Sequence, residues 1–375
     1  MKAVLNFIKK DAVLTAAWVL AVISAFFVRP DAGYLDCIDW RSLGILWSLM
    51  VIMQALRDNG LFVRIGAWLL EKTTSIRQLI AVLIFLCFVS SMFITNDVAL
   101  ITFVPFAILI LKQCGRSDLT ILTLVLQTVA ANLGSMLTPV GNPQNLYLYG
   151  ISGMGIGAFF MNMLPYTMLS ALLLGGFILA VKRGDPGTDG TVMVEGQDAL
   201  PELNRRKLVL FLALFVLALL TVLRLVPFYV LAAVVLVSAA IAERRTLKEV
   251  DYALLLTFVG FFIFTGNMAR IAPVREALET VVRGHEVIAG VLASQFISNV
   301  PAALMLSGFT GEYAALILGV NFGGLGTLIA SMASLISYKQ FAGTSSGMTG
   351  RYLGVFTAVN LIFLAVLLAA FFVIR

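Results

Sequence analysis

Residues 93–100 read FITNDVAL and residues 296–303 read FISNVPAA, and each octet sits inside a long apolar stretch. In the first, Thr95, Asn96 and Asp97 are three consecutive polar residues between runs apolar enough to enter a lipid bilayer. A carboxylate at mid-bilayer costs at least ~2.5–3.5 kcal/mol, so a membrane chain that keeps one there is using it. How the chain reaches and leaves these two octets decides the fold.

The surroundings are those of a polytopic membrane protein. The chain of 375 residues is 60% hydrophobic and 12% charged, with a mean hydropathy of +0.99. Soluble domains are nearer half apolar and a quarter charged. Runs near 12–28, 40–56, 119–137, 155–181, 207–223, 226–242, 251–267 and 352–374 have the length that spans a bilayer. No pattern of a cleaved signal peptide separates from the first run. A further run, 312–341, is broken by NFGGLG, and 77–112 and 286–308 are interrupted by the polar octets. Residues 183–206, rich in Gly, Pro and Asp, read as a cytoplasmic linker between halves 1–182 and 207–375.

Charge and rare residues exclude several classes. The net charge of +6 is spread over loops, as the positive-inside rule requires, and no basic stripe for nucleic acid is present. Cys37, Cys87 and Cys114 are too scattered for a disulfide framework, and His285 is the only histidine. An intramembrane enzyme would lack a His, a Cys pair and an acid dyad at its centre. No cofactor is expected beyond a coupling ion, sodium or a proton.

With a cytoplasmic N-terminus, most basic loops fall inside, provided 77–112 enters and leaves by one face. That region then reads as a re-entrant hairpin with its tip at Thr95–Asp97. The halves repeat: Phe93, Ile94 and Asn96 match Phe296, Ile297 and Asn299, and Asn132, Gly134, Thr138 and Leu146 match Asn321, Gly323, Thr327 and Leu335. A charged amphipathic stretch precedes each hairpin, at 57–72 and at 269–284. Counting crossings gives the repeats opposite topology, an arrangement that places binding at the midplane between discontinuous helices and suits alternating access better than an open channel.

Irregular backbone at membrane depth survives only when buried in protein or lining a wet cavity. Gly134, Gly141, Gly323, Gly324 and Gly326, with Pro139 and Pro143, are expected to break the helices after each hairpin. Breaks free carbonyls for a cation and expose helix N-termini for an anion. Thr95, Asn96, Ser298 and Asn299 add neutral oxygens, so sodium is expected at Thr95, Asn96, Gly134, Ser298, Asn299 and Gly323. Asp97 reads as a proton or cation site, its counterpart being Val300; it is also the one acid placed deep in the apolar map. Asn132 and Asn321 are either ligands or helix glue. Gly323–Gly326 either line the site or let helices pack. The amides of NPQN (142–145), Asn142 among them, have no purpose facing lipid. Thr138, Gly141 and Thr327 complete the expected substrate and ion site.

At these residues the chain resembles the ion-transporter superfamily of divalent anion/sodium symporters, citrate transporters, arsenite permeases and NhaD-type sodium/proton antiporters. The resemblance covers most of the chain. The symporters carry Ser-Asn-Thr at each tip; here Thr95-Asn96-Asp97 and Ser298-Asn299-Val300 keep the Asn and replace the last Thr. NDVALITFVP is similar to the arsenite permease and NhaD branches, and ANLGSMLTPVGNPQNL to the citrate and melanosomal P-protein branches. The resemblance implies a scaffold that holds a homodimer and an elevator-like motion of the hairpin domain. The reading is an all-α secondary transporter for a small carboxylate or inorganic anion, coupled to sodium or protons, in the cell (inner) membrane. The alternative is arsenite or antimonite efflux, or sodium/proton exchange, with Asp97 as carrier acid. Cysteines placed in 183–206 should label only from the cytoplasm and cysteines in 270–284 only from outside; labelling of both from one side would refute the opposite topology.

Overall fold

The computed structural model describes residues 12–70, 72–181, 203–344 and 346–374. Most of the expected linker lies outside the described residues. Apart from two short helices, Gly33–Asp36 and Arg244–Glu249, the α-helices in chain order are α1 (Ala12–Phe27), α2 (Trp40–Asp58), α3 (Leu61–Leu70), α4 (Ile76–Ile94), α5 (Asn96–Gln113), α6 (Thr120–Ser135), α7 (Pro143–Ser152) and α8 (Ile156–Ala180). After the linker come α9 (Arg205–Val222), α10 (Phe228–Ala242), α11 (Tyr252–Arg270), α12 (Ala272–Val282), α13 (Glu286–Ile297) and α14 (Asn299–Leu306). The chain ends with α15 (Tyr313–Phe322), α16 (Met332–Thr344) and α17 (Thr349–Ile374). Among the described residues there is no strand, and six helices are long and apolar enough to cross a membrane.

Helix starts follow from capping chemistry. The carboxylates of Asp39 and Asp251 accept the Ser42 and Leu254 N–H groups at the starts of α2 and α11, and Asn204 caps α9. The outer helices are apolar all round. α10 buries only the stripe Leu231, Val235 and Ala239, leaving Leu236, Val237 and Ile241 exposed, which suits a lipid-facing helix. Of the two amphipathic stretches, α3 buries Phe62, Gly66 and Leu70 at four-residue spacing.

Each polar octet is the junction of two helices that pack against each other, α4 on α5 and α13 on α14. The arms of the first pair have 19 and 18 residues, about 28 Å each, so each is long enough to cross a bilayer by itself. The arms of the second pair, 12 and 8 residues, are not. Both junctions turn on a single non-glycine residue in the same backbone region: Thr95 at φ 60°, ψ 147° and Ser298 at φ 74°, ψ 154°. That region is almost reserved for glycine and costs of order 1–3 kcal/mol elsewhere, so packing must hold it in place.

The packing is reciprocal. α5 lies on α16, and its counterpart α14 lies on α7; α1 lies on α11, and α10 lies on α2. Glycines allow the closest approaches. A Cβ at Gly134, in the last turn of α6, would strike the Phe88 carbonyl of α4; one at Gly290 of α13 would come within 2.9–3.1 Å of the backbone of Gly319 and Val320 on α15. Gly134 therefore serves helix packing and does not break its helix; the first break begins after Ser135. Gly290→Val should lower thermal stability in detergent by about 1–3 kcal/mol, the usual cost of overpacking, whereas Gly175→Val, which meets nothing within 4 Å, should not.

Candidate functional site

Each helix break is pinned to the adjacent hairpin by the same kind of bond. The Thr138 hydroxyl donates to the Met92 carbonyl, and the Thr327 hydroxyl donates to the Gln295 carbonyl at 3.2 Å. At the tips, the Asn96 N–H donates to the Gly141 carbonyl at 3.1 Å, and the Ser298 hydroxyl donates to the Ala330 carbonyl at 3.5 Å. Gly141 and Ala330 occupy matching places, just ahead of the residue that precedes α7 or α16. The second break has an additional clamp that the sequence did not suggest: Gln295 Nε2 donates to the Gly323 and Leu325 carbonyls at 3.0 and 2.9 Å, and its Oε1 accepts the Thr327 N–H.

Behind the tips lies a buried amide network that crosses between halves. Asn142 Nδ2 donates to Asn321 Oδ1 at 3.0 Å, and Ser331 Oγ donates to Asn132 Oδ1 at 3.0 Å. Asn142 corresponds to Ser331 and Asn321 to Asn132, so each half supplies the same pair of partners to the other. Asn96 Nδ2 also donates to Asn132 Oδ1, Asn132 Nδ2 reaches the Gly324 carbonyl, and Asn321 Nδ2 donates to Asn145 Oδ1. Asn142 in addition caps α7 by accepting the Asn145 N–H at 2.9 Å. Asn132, Asn142 and Asn321 are thus structural amides of the site's floor. The Gly134 carbonyl already accepts from the Met136 and Leu137 N–H groups, and the Gly323 carbonyl from Gln295 Nε2.

In front of the network a narrow cavity of about 20 Å³, about the space of one water molecule, lies between the two tips. Asn96 and Asp97 line it from α5, Pro143 and Gln144 from α7, Asn299 and Val300 from α14, and Ser331 and Met332 from the start of α16. Besides α11, whose start is capped by the Asp251 carboxylate, four helices begin at this pocket, and their positive ends converge on it. Asp251 and Leu254, at the start of α11, close one side. Of the expected site residues, Asn96, Asp97 and Asn299 line this pocket, and Ser298 lines a neighbouring one with Asp251 and Thr257. Thr95, Thr138, Gly141 and Thr327 do not line it: Thr95 makes the turn of the first tip, Gly141 accepts the Asn96 N–H, and Thr138 and Thr327 pin the breaks.

Three side chains here have unused hydrogen-bonding capacity. Asp97 Oδ1 and Gln144 Oε1 are buried with no partner, and the Asn299 amide, 4% exposed, bonds to no described residue. No Lys or Arg lines the pocket. Asp97 is not the only buried acid: Glu286, 3% exposed, begins α13, but its carboxylate is occupied by the Gly284 N–H and the Thr310 hydroxyl. Asp251 and Gln144 were missed from sequence. Gln144 lies within the NPQN run and could have been included; Asp251 sits at a helix start, where an acid reads as an ordinary cap. Among the described residues no cluster of three or more His, Cys, Asp or Glu could hold a metal.

The comparisons with known proteins agree in kind. A family profile described as citrate transporter matches residues 3–314. An uncharacterized transporter of Methanocaldococcus jannaschii is 32% identical over 337 residues, 88% of this chain and 89% of its own. The inner membrane protein YbiR of Escherichia coli is 29% identical over 331 residues, 86% of each chain. The silicon efflux transporter of rice, Oryza sativa, is 30% identical over 146 residues, 39% of this chain and 29% of its own. Together with the apolar helices these indicate a multi-pass membrane transporter rather than an enzyme. Asn142→Ala should lower stability by about 1.5–4 kcal/mol, combining a lost cap with a stranded buried carbonyl at Asn321. Asn299→Ala should leave the melting temperature nearly unchanged and abolish transport. Equal destabilisation by the two would show that Asn299 is a packing residue.

Proposed function

The chain belongs to the citrate transporter family, and on that premise we propose that it is a secondary active transporter carrying a small carboxylate or inorganic oxyanion, coupled to protons or sodium. The convergence of four helix N-termini on one pocket carries this reading. Helix N-termini present unpaired N–H groups and positive dipole ends, so they hold an anion without a basic side chain. Gln144 and Asn299 supply neutral donors to orient it.

Asp97 supplies the coupling. A carboxylate beside a bound anion is repulsive unless it takes up a proton or shares a cation with the substrate. Either event ties substrate binding to the ion gradient, because the loaded site is favourable only when both are present. Neutral oxygens at Thr95, Asn96, Ser298 and Asn299 suit sodium in the second case. The crossed bonds between halves support reading them as inverted repeats with re-entrant tips, in which one pocket is exposed to alternate sides. A homodimer held by the outer helices and a cytoplasmic N-terminus complete the proposal.

A second reading is favoured by a specific observation. Two carboxylates, Asp97 and Asp251, and no cationic side chain line the pocket, which also suits export of a neutral hydroxylated acid, or sodium/proton exchange with Asp97 as carrier. Arsenous acid and silicic acid are uncharged at neutral pH, and the rice relative is named a silicon efflux transporter.

Proteoliposomes given separate pH and sodium gradients test both. Citrate, sulfate, phosphate, arsenite and silicic acid are offered in turn. Gradient-driven accumulation of an anion supports the first reading, and movement of the neutral acids alone supports the second. Asp97→Asn should retain downhill exchange but lose gradient-driven accumulation; if it concentrates substrate as the native protein does, the coupling site lies elsewhere.

A further inference from the structure

The two halves are alike in contacts around the tips but unlike in how the outer helices meet them. α2 and α11 are equivalent: each has 19 residues, and each starts with an aspartate cap followed by an aromatic, Asp39-Trp40 and Asp251-Tyr252. Were the halves identical in arrangement, both caps would stand at the same height on their neighbours. They do not. Asp251 faces Met332, the first residue of α16. A side chain at Gly150, the eighth residue of α7, would meet Arg41 at 3.1 Å, Ser42 at 3.2 Å and Asp39 at 4.0 Å. The residue of α16 equivalent to Gly150 is Lys339, also the eighth of its helix.

Exchanging the roles of the two halves gives the other arrangement the fold can adopt, since each half already tolerates the other's contacts. In that arrangement Asp251 stands beside Lys339. Met332 and Lys339 are seven residues apart, two helical turns, so they lie on one face of α16 and a slide of about 10 Å replaces one by the other. The charges are complementary in the same sense. Asp39 has Arg41 two residues on, and the facing position, Gly150, carries no side chain. Asp251 has Ala253 at the place of Arg41, and the position that would face it carries a lysine. Lys339 is exposed and makes no ion pair among the described residues, although it lies on a helix that packs against α5 and α6.

We propose that Asp251 and Lys339 form an ion pair in the alternate state of the transporter, after α16 has moved two turns past the start of α11. Asp251 is then a positioning residue with two partners: it closes one side of the pocket in the present arrangement and latches Lys339 in the other. The inference rests on the alternating-access reading above, but its central test needs no substrate.

In a background with Cys37, Cys87 and Cys114 replaced, the pairs Asp251→Cys/Met332→Cys and Asp251→Cys/Lys339→Cys are oxidised in membranes and cross-linking is read by mass spectrometry. A disulfide needs Cα atoms within about 7 Å, so the two pairs report two positions of α16. Both pairs should cross-link, each excluding the other state. Cross-linking of 251 to 332 but never to 339 would overturn the slide, whatever the protein transports. Lys339→Gln should slow gradient-driven transport by roughly twofold to fivefold, the equilibrium weight of a part-exposed ion pair, and Lys339→Arg should restore it. Native rates in Lys339→Gln would leave the slide without its latch and refute the pair. Absence of transport by the native protein, with both cross-links present, would refute the transport reading and leave the slide standing.

Discussion

Asn142 donates to Asn321 and Ser331 donates to Asn132, and these two crossed hydrogen bonds hold the broken ends of four helices at one place. Each amide is almost fully buried, so a lost partner would strand a polar group with no water to replace it. Because the bonds run between halves, neither half can complete its break alone. The pocket in front is a consequence: helix starts that would otherwise scatter are gathered where the amides meet, and their positive ends add up.

The two matching tips, each a helix, a strained turn residue and a second helix, were legible because their signature is local. Matching octets, matching Asn and Thr after each octet, and Gly and Pro between them can be read in one dimension. The membrane class was legible from composition alone. What escaped depends on where a loop or cap comes to rest in three dimensions. Gly134 looked like a helix breaker, yet the helix runs through it, and the residue is glycine because the Phe88 carbonyl leaves no room for a side chain. Asp251 looked like a cap, and it is one; that it also faces the pocket follows from the packing of α11 against α14, which no pattern in the sequence encodes. Glu286 lies at a helix start too, and only the bonds it accepts separate it from Asp97, whose Oδ1 accepts none.

The same contrast separates paired from unpaired amides. Asn132, Asn142, Asn145 and Asn321 use their donors and acceptors on one another and on nearby backbone. Asn299 and Gln144 stand at the front of the same cluster with capacity unused. A sequence treats all six as polar residues in an apolar region, since a spent amide and a free one have the same composition. Only the count of partners distinguishes them.

The two tip residues, Thr95 and Ser298, carry a further consequence for selectivity. Backbone held in a sparsely populated region has few low-energy neighbours to relax into, so the separation of the tips is set by the scaffold and not by what lies between them. Sites that adapt their shape to the guest grade ligands gently; a rigid gap grades them steeply by size and shape. On the proposed function, a guest one bond too long would have to move a whole helix pair rather than a loop. On that reading such a gap would act as a gauge, held by the two residues that turn the tips.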